Sequence, residues 1–170
     1  MPIATNVNPD VFRHAMTCFA SGVTAITTQE AGVPSGLIAT SVCSLSVDPA
    51  TILVCVNKMA SAHNVILRTK KFAVNLLSVD QISVAQRFTS SRGANRFEST
   101  QWEDSGTGLP ILIDAIVVFE CGLIAVHNGF THSIMVGQIA DATVNEDIAA
   151  GCLLWHHQNF ALSQNTLRAA

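Results

Sequence analysis

Between residues 57 and 64 the chain reads N-K-M-A-S-A-H-N, and the polar types gathered there, Asn57, Lys58, Ser61, His63 and Asn64, could hold an anion. The stretch follows TILVCVN, whose β-branched density suits a buried strand, and runs into VILRT, whose apolar spacing is helical. A helix starting here leaves backbone N–H groups free and presents the positive end of its dipole, both of which favour a phosphate ester. Lys58 would add a point charge. A serine cap beside a solvated lysine explains the same residues more simply. Upstream, Thr40, Ser41, Val42, Cys43 and Ser44 thread hydroxyls through an apparent strand. Alternation would put Thr40, Val42, Ser44 and Ser46 on one face and Ser41, Cys43, Leu45 and Val47 on the other. At a barrel rim such donors could meet the edge of a flat heteroaromatic ligand; Thr and Ser merely tolerated on a strand is the competing explanation.

Other chemistries lack support. The glycine pair in GTGLP, residues 106–110, misses the third glycine of a dinucleotide fingerprint and runs into proline, and neither a Walker motif nor G-x-S-x-G occurs. Cys18, Cys43, Cys55, Cys121 and Cys152 are odd in number, widely spaced and set among apolar or small residues, so buried free thiols are expected, with Cys43 in a packing role. There is no C-x-x-C, and the neighbours His156 and His157 would need distant partners to bind zinc; no metal is expected.

A net charge of −3 with nine scattered Lys and Arg argues against nucleic acid as a partner. Charged residues make up only 12% of the chain and hydrophobic ones 49%, so a large buried interface, most simply a homodimer, is expected. No apolar run has membrane-spanning length and MPIATNVNPDVFRHAM lacks a signal-peptide layout, which points to the cytoplasm.

The elements that would position these residues follow from periodicity. NPDVFRHAMTCFA reads as an amphipathic helix capped by Asn8 or Asp10, its apolar face sealing one end of a sheet. GVTAITTQ and LIATSVCSLSVD read as strands joined through EAGVPSG, the second ending at Asp48-Pro49. TILVCVN and KFAVNLLS are further strands, and ASAHNVILRT and VDQISVAQRFTS are helices. SRGANRFESTQWEDSGTGLP reads as a long surface excursion. AIVVFECGLIAVHNG and HSIMVGQIADATVN form a pair about a His-Asn-Gly turn, with Val117, Val118 and Phe119 in the core, and CLLWHHQNFALS could add a strand. The expected class is mainly β with flanking helices, an antiparallel closed or nearly closed barrel formed by residues 1–170 as one domain.

FRHAMTCFASGVTAITT, GLIATSVCSLSVDP, ILVCVNKMASAHNVI, FAVNLL, AQRF, NRFESTQW, VVFECGLIAV, NGFTHSIMVGQI and LLWHHQNF follow one another over nearly the whole chain. In that order they resemble the short-chain flavin reductases that supply reduced flavin to two-component monooxygenases, of the kind serving 4-hydroxyphenylacetate 3-monooxygenase. The resemblance implies an FMN-binding split barrel, usually homodimeric, that binds FMN or FAD, oxidises NADH or sometimes NADPH, and passes diffusible reduced flavin to a separate monooxygenase component. In such proteins the segment matching Thr40, Ser41, Val42, Cys43 and Ser44 lies along the isoalloxazine ring. The region matching Asn57, Lys58, Ser61, His63 and Asn64 handles ribityl and phosphate groups. Phe88, Arg96 and Phe97 match an F…RF pattern that closes over the cofactor, and His132 matches the histidine of a Gly-Asp-His or Gly-Thr-His motif near flavin and nicotinamide.

The resemblance further implies hydride transfer carried by the cofactors, with the protein supplying proximity and donors to the reduced ring rather than a general base. His132 would contact nicotinamide or simply order the rim. Departures from the family pattern are Ala50 after Asp48-Pro49, Thr131 where many members have Asp, an extra residue within NGFTH, and His156, His157 and Gln158 where relatives often carry Arg or Lys. A non-catalytic flavin carrier or sensor on the same barrel is the alternative. A pyridoxamine-phosphate-oxidase-like enzyme would need several arginines where this clasp offers Lys58.

Overall fold

Asn8 starts the first helix: its side-chain oxygen accepts the N–H of Asp10 at 2.8 Å, and Pro9 fits the first turn, where no N–H is needed. In the computed structural model, which describes residues 7–146 and 151–163, this helix is α1 (Pro9–Thr17). Its apolar face does not seal the sheet as expected. Val11, Phe12 and Met16, with Phe19 just beyond the helix, are exposed, because α1 lies off the core with none of its residues buried.

The strands that follow are β1 (Ser21–Gly22), β2 (Thr24–Glu30), β3 (Val33–Ala39), β4 (Val42–Val47) and β5 (Ala50–Asn57). After α2 (Ser61–Thr69) come β6 (Lys71–Leu76), α3 (Ile82–Ser90), β7 (Trp102–Asp104), β8 (Pro110–Leu112), β9 (Val117–Gly129), β10 (His132–Val144), β11 (Leu153–His156) and β12 (Asn159–Leu162). The main sheet is antiparallel and seven-stranded, in the order β3-β2-β6-β9-β10-β5-β4. Its two edges, β3 and β4, are consecutive in the chain and separated only by Thr40 and Ser41.

That connection dictates the shape. Flat, the edges would stand roughly 29 Å apart at the usual strand spacing, whereas three Cα steps reach at most about 11 Å. The sheet must therefore roll until its edges meet. Among the described residues β3 and β4 do not pair with each other, so the expected closed barrel is, in its hydrogen bonding, a rolled sheet with an open seam. The single strand expected over residues 37–48 is the two edge strands, broken where the chain crosses the seam.

Rolling buries the central strands on both sides. Ile26, Val54, Val56, Phe72, Val74 and Met135 form one core with Ala62 and Ile66 of α2. Val23, Ala25, Ala73 and Leu77 meet Phe88 of α3 and Leu109 and Leu112 on the opposite side. Asn75 is fully buried but satisfied: its Nδ2 donates to the carbonyl oxygen of Ala25 at 2.9 Å and to Thr27 Oγ1 at 3.0 Å, and its Oδ1 accepts from the Leu112 N–H at 2.9 Å.

Three further expectations change. The stretch 91–110 is not merely a surface excursion: Phe97 is buried edge-on between Phe88 and Trp102, with ring centroids 5.1 and 5.5 Å away, and β7 and β8 pair. The β9–β10 turn is Phe130-Thr131 rather than His-Asn-Gly, since Gly129 faces His132 in the ladder and His127 faces Ile134. The tail adds a hairpin, β11 and β12, that continues onto β1, because His157 and Gln158 take the positive φ values, 48° and 61°, of a tight turn.

Gly137 stands where β10 crosses Phe72; a Cβ there would lie 2.6 Å from Phe72 Cζ and 2.8 Å from Cys121 Cβ. Gly137→Ala is expected to destabilise the fold by about 1–3 kcal/mol through overpacking, measured as a lowered midpoint in thermal or urea unfolding; an unchanged midpoint would contradict this packing.

Candidate functional site

The site begins at the seam. Ser41 accepts through its carbonyl oxygen from the Cys55 N–H at 3.0 Å, and β4 has no neighbour on its other side. In an antiparallel ladder the hydrogen-bonding direction alternates, so the N–H groups of Val42 and Ser44 project from the free edge. The expected hydroxyl face holds only in part. Val42 and Ser44 oppose Val54 and Ile52, but the register slips between Ser44 and Ser46, and Ser46 opposes Thr51. A bulge at Leu45 thus turns Ser46 to the other face. Thr40 and Val42 line a cavity of about 390 Å³ together with Gly22, Ile52, Val117 and Phe119. Of the stretch expected in the core, only Val118 is buried.

Along the same line lies the start of α2. Its cap residue, Ala60, makes no side-chain capping bond, so the serine-cap reading does not hold; the N–H groups of Ala60 and His63 donate to the carbonyl oxygens of Asn57 and Ala60, which leaves those of Ser61 and Ala62 available. Ser61 Oγ shares a hydrogen bond with Ser35 Oγ at 3.3 Å and accepts from Arg96 Nη1 at 3.4 Å. Arg96 is held from two sides, donating through Nη1 to the Gly36 carbonyl oxygen and through Nε to that of Ser91 at 3.1 Å. Burial, and then the charge of Arg92, pull its pKa below the usual guanidinium value. Among the described residues neither arginine enters an ion pair, so the pocket carries uncompensated positive potential. Arg96, two serine hydroxyls and the free N–H groups of Ser61 and Ala62 are a donor set that fits a phosphate, with Arg92 near enough to add positive potential.

The remaining residues divide. Asn57 Oδ1 accepts the Met59 N–H at 2.9 Å, and Lys58 Nζ donates to Asn128 Oδ1 of β9 at 2.6 Å, so the lysine leans toward the β9–β10 turn rather than Ser61. His132 faces Asn57 in the ladder, half-buried, with its Nδ1 2.9 Å from Thr131 Oγ1. His63 points inward: its Nε2 lies 2.9 Å from Ser133 Oγ and its Nδ1 3.0 Å from the exposed Asn64 Oδ1. Phe88 is also inside, at 1% exposure. Its ring supports Gly36 from behind, where a Cβ would meet Phe88 Cε1 at 2.8 Å. Thr40, Ser41, Val42, Cys43, Ser44, Ser61 and Arg96 thus gather along one seam, while His63 and Phe88 brace it from within. Sequence reasoning missed Ser35 and Asn128, which reach the site across 26 and 70 residues of chain and carry no local motif, and Arg92, whose charge acts on Arg96.

The thiols also differ from expectation. Cys121 alone is buried; Cys18 and Cys43 are exposed and Cys55 and Cys152 half-buried. Cys43 faces solvent because β4 is an edge strand with nothing packed over it. Burial, helped by the charge of Glu120, pushes the Cys121 thiol up to about 12.

Residues 16–162 match the flavin reductase like domain model. The chain is 36% identical over 163 residues to an NADH:riboflavin 5'-phosphate oxidoreductase of Streptomyces pristinaespiralis, covering 94% of this chain and 90% of that protein. It is 35% identical over 137 residues to HsaB, the reductase subunit of a flavin-dependent monooxygenase of Rhodococcus jostii (strain RHA1), covering 81% and 70%. Among solved structures, an NADH:FAD oxidoreductase of Streptomyces globisporus in complex with NAD and FAD fragments superposes with a TM-score of 0.86 at 27% identity, covering 97% of this chain and all of that one. The resemblance read from the ordered segments is borne out.

With a maleimide at pH 8 the native protein is expected to label at Cys121 only after denaturation, since the thiol is buried and its reactive thiolate is scarce far below the pKa. Peptide mass mapping reads this; rapid native labelling of Cys121 would contradict the burial.

Proposed function

The chain belongs to the flavin reductase like domain family, and from that premise we propose that it is an NADH:flavin oxidoreductase that reduces FMN or FAD and releases the product to a separate monooxygenase component. The observation that carries the site assignment is the alignment of two features: a free strand edge with outward N–H groups, and an arginine-serine pocket at the start of α2. A flavin nucleotide needs both.

The edge amides of Val42 and Ser44, with the hydroxyls of Thr40, Ser41 and Ser44, would hold the pyrimidine edge of the ring. Ser61, Arg96 and the first turn of α2 would hold the phosphate, Asn57 and Asn64 would flank the ribityl chain, and Lys58 would add positive potential. When bound, flavin and nicotinamide supply the redox chemistry, one as hydride acceptor and the other as donor. The protein's work is to bind, orient and exclude water. Half-buried His132, steadied by Thr131, would contact the nicotinamide or order that rim. His63 and Phe88 act by keeping α2 and β3 in place.

The same reading covers the assembly. We assign the rolled sheet to the FMN-binding split barrel, a single flavin reductase-like domain spanning the chain. Two copies would meet through surface that is apolar without a partner, including Val11, Phe12 and Phe19 around α1 and Leu45 and Val47 on β4. Exposed free thiols at Cys18 and Cys43 suit a reducing cytoplasm, and among the described residues no helix is long and apolar enough to cross a membrane.

Purified protein is expected to oxidise NADH in the presence of FMN or FAD; no consumption of NADH with either flavin would remove the enzymatic reading. Ser61→Asp places a carboxylate against the proposed phosphate and is expected to weaken FMN binding at least about tenfold, with Ser61→Ala much milder. Equal FMN affinity of Ser61→Asp and wild type, by flavin fluorescence titration, would reject the phosphate assignment.

A further inference from the structure

Two exposed apolar side chains flank the clasp. Phe130 is 89% and Met59 91% exposed, and each sits on a tight turn rather than on a mobile stretch. The turns are joined: the Lys58 N–H donates to the Thr131 carbonyl oxygen at 3.1 Å, and Lys58 Nζ reaches Asn128 Oδ1 on the strand leading into Phe130. Met59 is fixed in turn by Asn57 Oδ1.

Phe130 is unfavourable where it stands on two counts. It is the first of the two residues linking β9 to β10 and has φ +63°, whereas Thr131 is not among the positive-φ residues. Hairpin turns with that pattern take glycine at this position. A phenylalanine accepts a backbone state that suits glycine and then leaves its ring in water. Neither cost helps the fold, since the ring packs into neither core. Lys58, which precedes Met59 and is bonded to the hairpin that carries Phe130, enters no ion pair among the described residues. An aromatic face, a thioether and a cation carried on two joined turns offer the chemistry that a purine with a phosphate attached takes.

Along the ladder this rim is level with the clasp, because Asn57 faces His132 and the two turns lie just beyond. It lies two strands aside from β4, across β5. FAD with its ring by residues 40–44 and its phosphates by Ser61 and Arg96, or NADH stacked on that ring, would carry an adenosine beyond the clasp, where this rim stands. We infer that Phe130, with Met59 and Lys58, forms a docking platform for the adenine ring of a dinucleotide, a specificity element added to the flavin and nicotinamide sites. The inference rests on the function proposed above. NADH and FAD both carry adenine; FMN and nicotinamide mononucleotide do not.

Calorimetric titration separates the sources without requiring turnover. Phe130→Gly, which also relieves the turn, is titrated beside wild type and Phe130→Trp with NAD+, nicotinamide mononucleotide, FAD and FMN. The expected result is about a tenfold weaker affinity for NAD+ or for FAD, restored in Phe130→Trp, with FMN and nicotinamide mononucleotide unaffected. A loss confined to NAD+ assigns the platform to the nicotinamide dinucleotide, and one confined to FAD to the flavin dinucleotide. Unchanged affinity for both, an equal loss with FMN, or wild type binding FAD no better than FMN and NAD+ no better than the mononucleotide would each overturn it. So would a fall of Phe130→Gly to half the wild-type mass in sedimentation, which would make the ring a contact between copies. Absent NADH oxidation by wild type with these binding differences intact would count against the enzymatic reading alone.

Discussion

Three Cα steps from Ala39 to Val42 tie together the two edges of a seven-stranded sheet, and the rest of the molecule is arranged around that tether. A chain that short forces the sheet to roll, and the roll leaves a seam instead of a completed ladder. At the seam β4 keeps one row of backbone groups free, which would be a liability on an ordinary surface but is an asset beside a ligand rich in oxygen and nitrogen. The roll also buries β2 and β6 on both faces, which stiffens the wall behind the seam.

Positive charge is delivered to the seam by a different part of the chain. Phe97 is anchored between Phe88 and Trp102, and this fixes the neighbouring Arg96 well enough to span Gly36, Ser61 and Ser91. The far end of the same excursion is pinned where Ser105 and Thr107 donate to the Glu120 carboxylate. Arg92 nearby makes Arg96 harder to keep charged, a tension that a bound anion would relieve. Holding cations ready in this way costs stability in the free protein and returns it on binding.

Much of this was legible in the residues themselves. The N-terminal helix follows from Asn8 and Pro9, the strands from β-branched runs, and the proposed anion site from helix-start chemistry around Ser61. What escaped was non-local. The bulge that turns Ser46 away leaves no mark in an alternating hydroxyl pattern, because register is set by the partner strand. His63 reads as a polar clasp residue until Ser133, 70 positions on, is seen beside it. Cys43 reads as a buried strand thiol, since nothing in TSVCSLS says that β4 will be an edge. The hairpin turn was expected at His127 to Gly129, all of which pair in the ladder, because Phe130 occupies a backbone state that composition rules reserve for glycine.

A crystal structure of the complex with FMN tests the central claim most directly. The ring is expected to lie along residues 40–44 with the amides of Val42 and Ser44 at its edge, and the phosphate within hydrogen-bonding distance of Ser61 and Arg96. A ring seated away from that seam, or a phosphate bound without Arg96 and the start of α2, would contradict it.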